Sequence, residues 1–263
     1  MNLANGISRV GALFGLATLS VAAAAANVEV TFTNNAPSGG TWLTPLWVGF
    51  HDGGFDAFDA GAAASAGIEA IAEDGNAAPL GASFGGTGGI VGSGPLAPGA
   101  SASAQFVIAD DGSANFLSFA AMVLPSADFF IGNDDPHALA LGGLVDGTLS
   151  RVSVDIVRVW DAGTEVNDFA TSAANGLFGI PGGQGGPNEG ADENGVVGIA
   201  LGSDYLAFLN LGGADVAALD FSGYESLATV TVAQAQPVPL PASLPLALGA
   251  CAALGGWRRR RTA

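Results

Sequence analysis

The stretch of this sequence best equipped for chemistry is Val159-Trp160-Asp161-Ala162-Gly163-Thr164-Glu165-Val166-Asn167-Asp168. Asp161 falls where an apolar run ends, Gly163 permits a tight turn, and Glu165 then comes back near Asp161. Two carboxylates held close repel each other unless a cation sits between them. Calcium suits such a pair, because it takes several oxygen ligands, backbone carbonyls included, in flexible geometry. Taken alone, two acids four positions apart in a loop are more often solvated side chains.

Three other groups invite a chemical reading. Asp52, Asp56 and Asp59 lie with His51 in a Gly-rich segment. They form either a second metal site or a turn with solvated acids, and the second reading is favoured because their spacing fits no calcium loop. Gly81-Ala82-Ser83-Phe84-Gly85 fits the Gly-x-Ser-x-Gly pattern of a nucleophile elbow, with His137 as a base and Asp134 or Asp135 beside it. An elbow needs a strand before the serine and a helix after it. Here a Gly-rich loop is expected to follow, and a chain with 41 Gly produces such a match by chance. A secreted serine hydrolase using Ser83 is therefore the alternative, and the main expectation is a protein that is not an enzyme. Trp42, Trp47 and Trp160 can stack on sugars, yet each lies in or beside an apolar strand, where core packing is the simpler role.

Charge narrows the partners. The chain has no Lys, and five of its seven Arg fall near the ends, at Arg9 and Arg258–Arg261. The body keeps Arg151 and Arg158 against all 24 acids, a formal net charge of −22. Nucleic acid is excluded, since phosphate binding draws on Lys and Arg, and so is direct adhesion to anionic lipid. Divalent cations or a saline habitat fit such a surface. The single Cys, Cys251, lies near the C-terminus, so the body has no disulfide, thiolate zinc cluster or cysteine nucleophile.

The ends address the protein. Residues 1–26 read as a signal peptide: a short region with Arg9, an apolar run from Val10, and Ala22–Ala26 as small-residue cleavage sites. Residues 233–243 form a Pro-rich linker, 244–257 an apolar run, and 258–263 a basic tail. A span takes about 20 residues. Leu244–Trp257 alone is short, and becomes adequate only when Leu240 onward is included and the Arg side chains snorkel, with the four Arg held in the cytoplasm. The motif Val238-Pro239-Leu240-Pro241-Ala242 followed by these two segments resembles a PEP-CTERM-type sorting signal in its VPLPA variant. That resemblance implies an exosortase-like processing enzyme, and an exported protein anchored in the envelope at least before processing.

The elements that must position Asp161 and Glu165 are mostly strands. Val28–Thr33, Trp42–His51, Ser101–Ile108, Phe116–Leu124, Val152–Trp160, Val196–Leu201, Tyr205–Leu209 and Leu227–Val232 carry strand patterns. Phe116–Leu124 is apolar enough to be buried on both faces. Val152–Trp160 changes phase at Val157, which predicts a bulge or a second buried face. Ala62–Glu73 is the one helix, and Gly81–Gly99 and Gly182–Gly190 are loops. Many short strands with Gly and Pro turns predict an all-β fold, a single β-sandwich over residues 27–232 with long Gly-rich loops and one short helix.

Trp160-Asp161-Ala162-Gly163-Thr164-Glu165 is similar to the Trp-Asp-Ala-Gly-Thr-Asp motif of spondin N-terminal domains, and Pro125-Ser126-Ala127-Asp128-Phe129-Phe130-Ile131-Gly132 to their Pro-Ser-Pro-Asp-Trp-x-Val-Gly motif. Leu43–Leu46, His51–Asp59, Ala72–Asn76 and Pro95–Gly99 resemble bacterial members of that family. The resemblance spans roughly residues 28–232. It implies a β-sandwich akin to calcium-dependent lipid-binding sandwiches, with Ca2+ held at one end by Asp128, Asp161 and Glu165. Glu165 stands in place of Asp and Phe129 in place of Trp. The expected function is a cell-surface or matrix-associated calcium-binding adhesion or structural protein. Its expected partners are an envelope or matrix polysaccharide or a surface protein, or, on the structural reading, no specific ligand.

Overall fold

Val28, Val30 and Phe32 alternate with Glu29, Thr31 and Thr33, and this period of two gives β1 (Ala25–Asn34) one buried and one wetted face. The computed structural model describes residues 25–168, 170–202 and 217–235. The sorting tail, the expected strand Tyr205–Leu209 and all of the leader but Ala25 and Ala26 lie outside them. Ala25 and Ala26 open β1, opposite Ala109 and Ile108.

Two antiparallel sheets face each other. In the smaller, β1 lies between β5 (Ser101–Ala109) and β11 (Ala228–Gln234), and β8 (Arg151–Ile156) forms the far edge. The larger runs β10 (Gly198–Ile199), β9 (Trp160–Asp161), β7 (Phe129–Gly132), β6 (Phe116–Leu124), β3 (Leu46–His51), β4 (Thr87–Val91), with β2 (Trp42–Leu43) also on β6. The expected all-β sandwich is the observed fold. Its main core, between the sheets, gathers Val28, Val30 and Phe32 with Val230, Val232, Leu117, Phe119 and Ile131. Burying each such side chain stabilises by about 1.5–3 kcal/mol.

The larger sheet is covered on its outer face too. Trp47, Ala120, Phe130 and Trp160 pack there against Phe58 from the loop after β3 and against Ile68, Ile71 and Ala72 of α1 (Ala66–Asp74). Hence β6 is buried almost end to end, as its unbroken apolar run predicts. Ser65 starts α1 by accepting from Ile68 N, and Gly75 stops it in the left-handed region at φ 64°.

The phase change in Val152–Trp160 is a change of sheet. The chain leaves the smaller sheet at Ile156, runs through the exposed Val157 and Arg158, and joins the larger sheet at Trp160. Trp42–His51 likewise divides into β2 and β3 around Thr44-Pro45. The expectation of one helix is corrected. Ala78–Phe84 forms α2, with Pro at its first turn, and Gly142–Val145 forms the one-turn α3. Gly85, at φ 68°, turns the chain from α2 into β4, so the Gly81–Gly99 loop contains both a helix end and an edge strand.

Candidate functional site

Sheet pairing brings Asp128 to Asp161. Ser126 shapes the turn between β6 and β7, donating to Val123 O at 2.6 Å and accepting from Phe129 N at 3.1 Å. Asp128 follows, one residue before β7. Because β7 pairs with β9, Phe129 stands opposite Asp161, and Asp128 O accepts from Ala162 N at 3.1 Å. Trp160 is locked beneath by its Nε1, which donates to Gly132 O at 3.1 Å, with the Arg158 guanidinium 5.1 Å above its ring.

The Asp128 side chain is 0% exposed. Its Oδ2 accepts from Thr164 N at 2.8 Å, Glu165 N at 3.1 Å and Thr164 Oγ1 at 3.3 Å. Its Oδ1 is buried with no hydrogen-bond partner, a state that costs free energy in a protein interior. Burial first, then the negative charge of Asp161, pushes the Asp128 carboxyl up to about 7, against the amides that hold Oδ2. Asp161 is half-buried. Its Oδ1 accepts from Gly163 N and its Oδ2 from Asn167 Nδ2, each at 2.8 Å.

Gly163 makes the loop possible. It sits at φ +65°, and a Cβ there would lie 2.6 Å from Val196 O. The close approach is closed by Gly195 N donating to Gly163 O at 2.7 Å. The same segment brings in Glu193, whose N donates to Thr164 O at 2.8 Å. Burial, and then the charge of Asp161, raise the Glu193 carboxyl above the ordinary range.

Glu165 contributes its backbone N–H to Asp128, while its buried carboxylate belongs to a neighbouring cluster. Oε1 accepts from Thr171 Oγ1 at 3.2 Å, and Gly190 leaves the space that the carboxylate fills. Burial, followed by the charge of Glu73, pushes Glu165 up to about 7, with Asp74 and Asp168 adding to it. Among the described residues no group of three or more His, Cys, Asp and Glu side chains is arranged to hold a metal ion. The structure thus sets Asp128 beside Asp161 and Glu165 beside Glu73, with Thr164 donating to Asp128 through both its N–H and its hydroxyl.

Glu73 is the site residue that sequence reasoning missed. It is buried in the last turn of α1, and burial foremost raises its carboxyl. Acids are disfavoured at a helix C-terminus, so Glu73-Asp74 there, with no base in that turn, was the available signal. The Gly-rich loop docks on the same helix end: Gln184 Nε2 donates to Asp74 Oδ1 at 2.6 Å, and Asn188 N to the same oxygen at 3.3 Å.

The competing groups have structural roles. His51 is buried, with Nδ1 accepting from Gly53 N at 3.1 Å and Nε2 against Ser118 Oγ at 3.0 Å. Both ring nitrogens are engaged, and burial, as the largest cause, lowers its pKa. Asp52 and Asp56 cap their own turns through Gly54 N and Phe58 N. Ser83 lies near the end of α2, with Oγ donating back to Leu80 O at 2.9 Å. A helix precedes it and β4 follows, the reverse of the order a nucleophile elbow requires. Ser83→Ala is accordingly expected to change stability by no more than about 0.5 kcal/mol, and a serine-reactive probe is expected to leave Ser83 unlabelled. Trp47 and Trp160 belong to the outer core, and Trp42 meets Phe178 edge-on at 6.5 Å.

No curated protein matches the chain. The family model Spondin_N matches residues 17–175, more than half of the sequence. The match takes in both motifs that position Asp128 and Asp161, and ends before β11, the strand that completes the smaller sheet. By this match the chain belongs to the spondin N-terminal domain family, which fits an extracellular or secreted protein.

Proposed function

We propose that this protein is an exported, non-enzymatic adhesion or structural component of the cell envelope or extracellular matrix, whose sandwich is completed by one calcium ion. The observation that carries the proposal is Asp128 Oδ1, a buried carboxylate oxygen with no partner beside the charge of Asp161. A divalent cation gives that oxygen a partner and relieves the repulsion at once. The residues present fit such an ion in charge and chemistry. Asp128 and Asp161 would hold it, with Glu165 placed next in the loop that Asp128 organises. Backbone carbonyls and water oxygens are normal further ligands for calcium. The ion would tie the β6–β7 turn to the loop after β9, stiffening one end of the sandwich as a binding face.

The partner in this reading is a matrix polysaccharide or a surface protein. The leader and the Pro-rich tail support export, with anchoring through residues 244–257 and handling by an exosortase-like enzyme. The net charge of −22 gives cations a second use, since any bound cation reduces self-repulsion. Retention of the purified protein on washed cells and on their extracted polysaccharide, in calcium and in chelator, tests the adhesive role. Calcium-dependent retention, lost in Asp161→Asn, is expected. Calcium-dependent stabilisation without retention would leave only the structural role.

A further inference from the structure

The outer face of the larger sheet carries a second feature. Between β4, α2 and the end of α1 lies an open cavity of about 420 Å3. Its lining includes Pro45, Trp47, Asn76, Phe84 and Ile90, and none of the lining residues is charged. This neutral, mostly apolar hollow sits in a body of net charge −22.

Three observations say what fits it. The first is Trp47. It is only 2% exposed, held edge-on by Phe84 at 5.4 Å and tilted against Phe55 at 5.9 Å. Its ring faces are therefore covered, and a sugar has nothing to stack on. Its Nε1 opens toward Gly81, which lines the cavity: a Cβ at Gly81 would lie 3.5 Å from it. Trp160, by contrast, spends its Nε1–H on Gly132 O. An indole N–H that opens into an apolar hollow is free to donate to a ligand carbonyl.

The second observation is the strand that borders the hollow. β4 is the end of the larger sheet and has no strand on its outer side among the described residues. Alternate N–H and C=O groups of such an edge are left unpaired and template a further strand. The third is the sequence of that edge, Thr87-Gly88-Gly89-Ile90-Val91. Gly88 and Gly89 fit where a Cβ would meet Val48 O at 2.5 Å and Phe106 at 3.1 Å, and Ile90 is 44% exposed at the rim.

We infer that the β4 edge and the Trp47 hollow together bind an extended, uncharged peptide segment of a partner protein. The segment adds to β4 as a strand, places one aliphatic or aromatic side chain in the hollow, and offers a carbonyl to Trp47 Nε1. Main-chain pairing of this kind gives affinity, and the pocket for an alternate side chain gives selectivity.

The test measures binding of fluorescently labelled hexapeptides to the full chain by anisotropy. One peptide is a Thr/Val sequence with a central Leu, one has Asp in place of that Leu, and one has alternate amides N-methylated. The Leu peptide is expected to bind, and the other two to bind at least about tenfold more weakly. Gly81→Leu is the main variant. A Cβ at Gly81 would sit 3.5 Å from Trp47 Nε1, an ordinary contact, so the fold tolerates it while the side chain fills the hollow. It is expected to keep or raise the melting temperature and to abolish binding. Asp161→Asn is expected to leave peptide binding unchanged, so failure at the calcium site and failure here are distinguishable. Undiminished binding to Gly81→Leu, or equal binding of the N-methylated peptide, would overturn the inference. So would binding of a small cyclic amide without binding of the Leu peptide, or a concentration-dependent dimer that excludes the peptide.

Discussion

Replacing Asp128 by Asn is expected to raise the melting temperature in chelator near neutral pH while abolishing the response to calcium. The Asn carbonyl can take over from Oδ2 the donors Thr164 N, Thr164 Oγ1 and Glu165 N. Its amide then occupies the place of the unpartnered Oδ1, in the field of the Asp161 carboxylate. A buried charge held against a second charge is removed with the hydrogen bonds kept, which should stabilise by about 1–3 kcal/mol. That is a rise of roughly 3–10 °C for a domain of this size. Asp128→Ala has the opposite sign. It strands two backbone N–H groups and a hydroxyl in a dry interior, and a loss of about 3 kcal/mol or more is expected. Thermal melts of the two variants in chelator check the pair. If both variants melt below the wild type by the same amount, Asp128 is held by its hydrogen bonds alone and its charge is not a burden.

The second large effect falls on Gly163. At φ +65°, with a prospective Cβ 2.6 Å from Val196 O, Gly163→Ala adds both left-handed strain and a clash with backbone. The cost is expected to be about 2 kcal/mol or more. Stability is the smaller part of the forecast. Relief requires moving the loop that delivers Thr164 N and Glu165 N to Asp128, so the variant should bind calcium at least about tenfold more weakly. Isothermal titration with calcium reads this directly. Gly176→Ala is the control, since nothing lies within 4 Å of a Cβ there and its φ is ordinary; it should titrate as the wild type does.

Much of this was legible in the residues. Alternation in Val28–Thr33 and the apolar run Phe116–Leu124 defined strands with one and two buried faces, because side-chain direction along a strand is fixed by the pleat. The phase slip at Val157 was visible as well, but a slip alone cannot distinguish a bulge from a chain that changes sheets; only β9 pairing with β7 decides it. Helix α2 was hidden by Gly81 and Gly85, which read as loop because helix propensity is a local property, whereas Leu80 is fixed by packing under α1. For the candidate site, Asp128 and Asp161 were both named from their motifs. The direction of Glu165 was not. Its carboxylate follows Thr171, Gly190 and the buried Glu73, and those contacts link segments far apart in sequence.

Acidity provides the linkage that joins these parts. Burial is the leading cause that raises both Asp128 and Glu165 to about 7 in the folded chain, against roughly 4 when unfolded. A raised carboxyl favours the protonated folded form. Its contribution to stability is therefore fully present below about pH 4 and is lost as pH rises through about 7. On the proposed reading, calcium would compete with those protons and take over where they leave.

The most direct test of the proposed calcium site is the melting temperature of the protein across that range, in millimolar calcium and in chelator, for wild type and Asp161→Asn. The wild type in chelator should melt progressively lower as pH rises through neutrality, and calcium should restore the loss at neutral pH but not near pH 4. Asp161→Asn should show little calcium response at any pH. Wild-type curves that coincide with and without calcium, at every pH, would contradict the account.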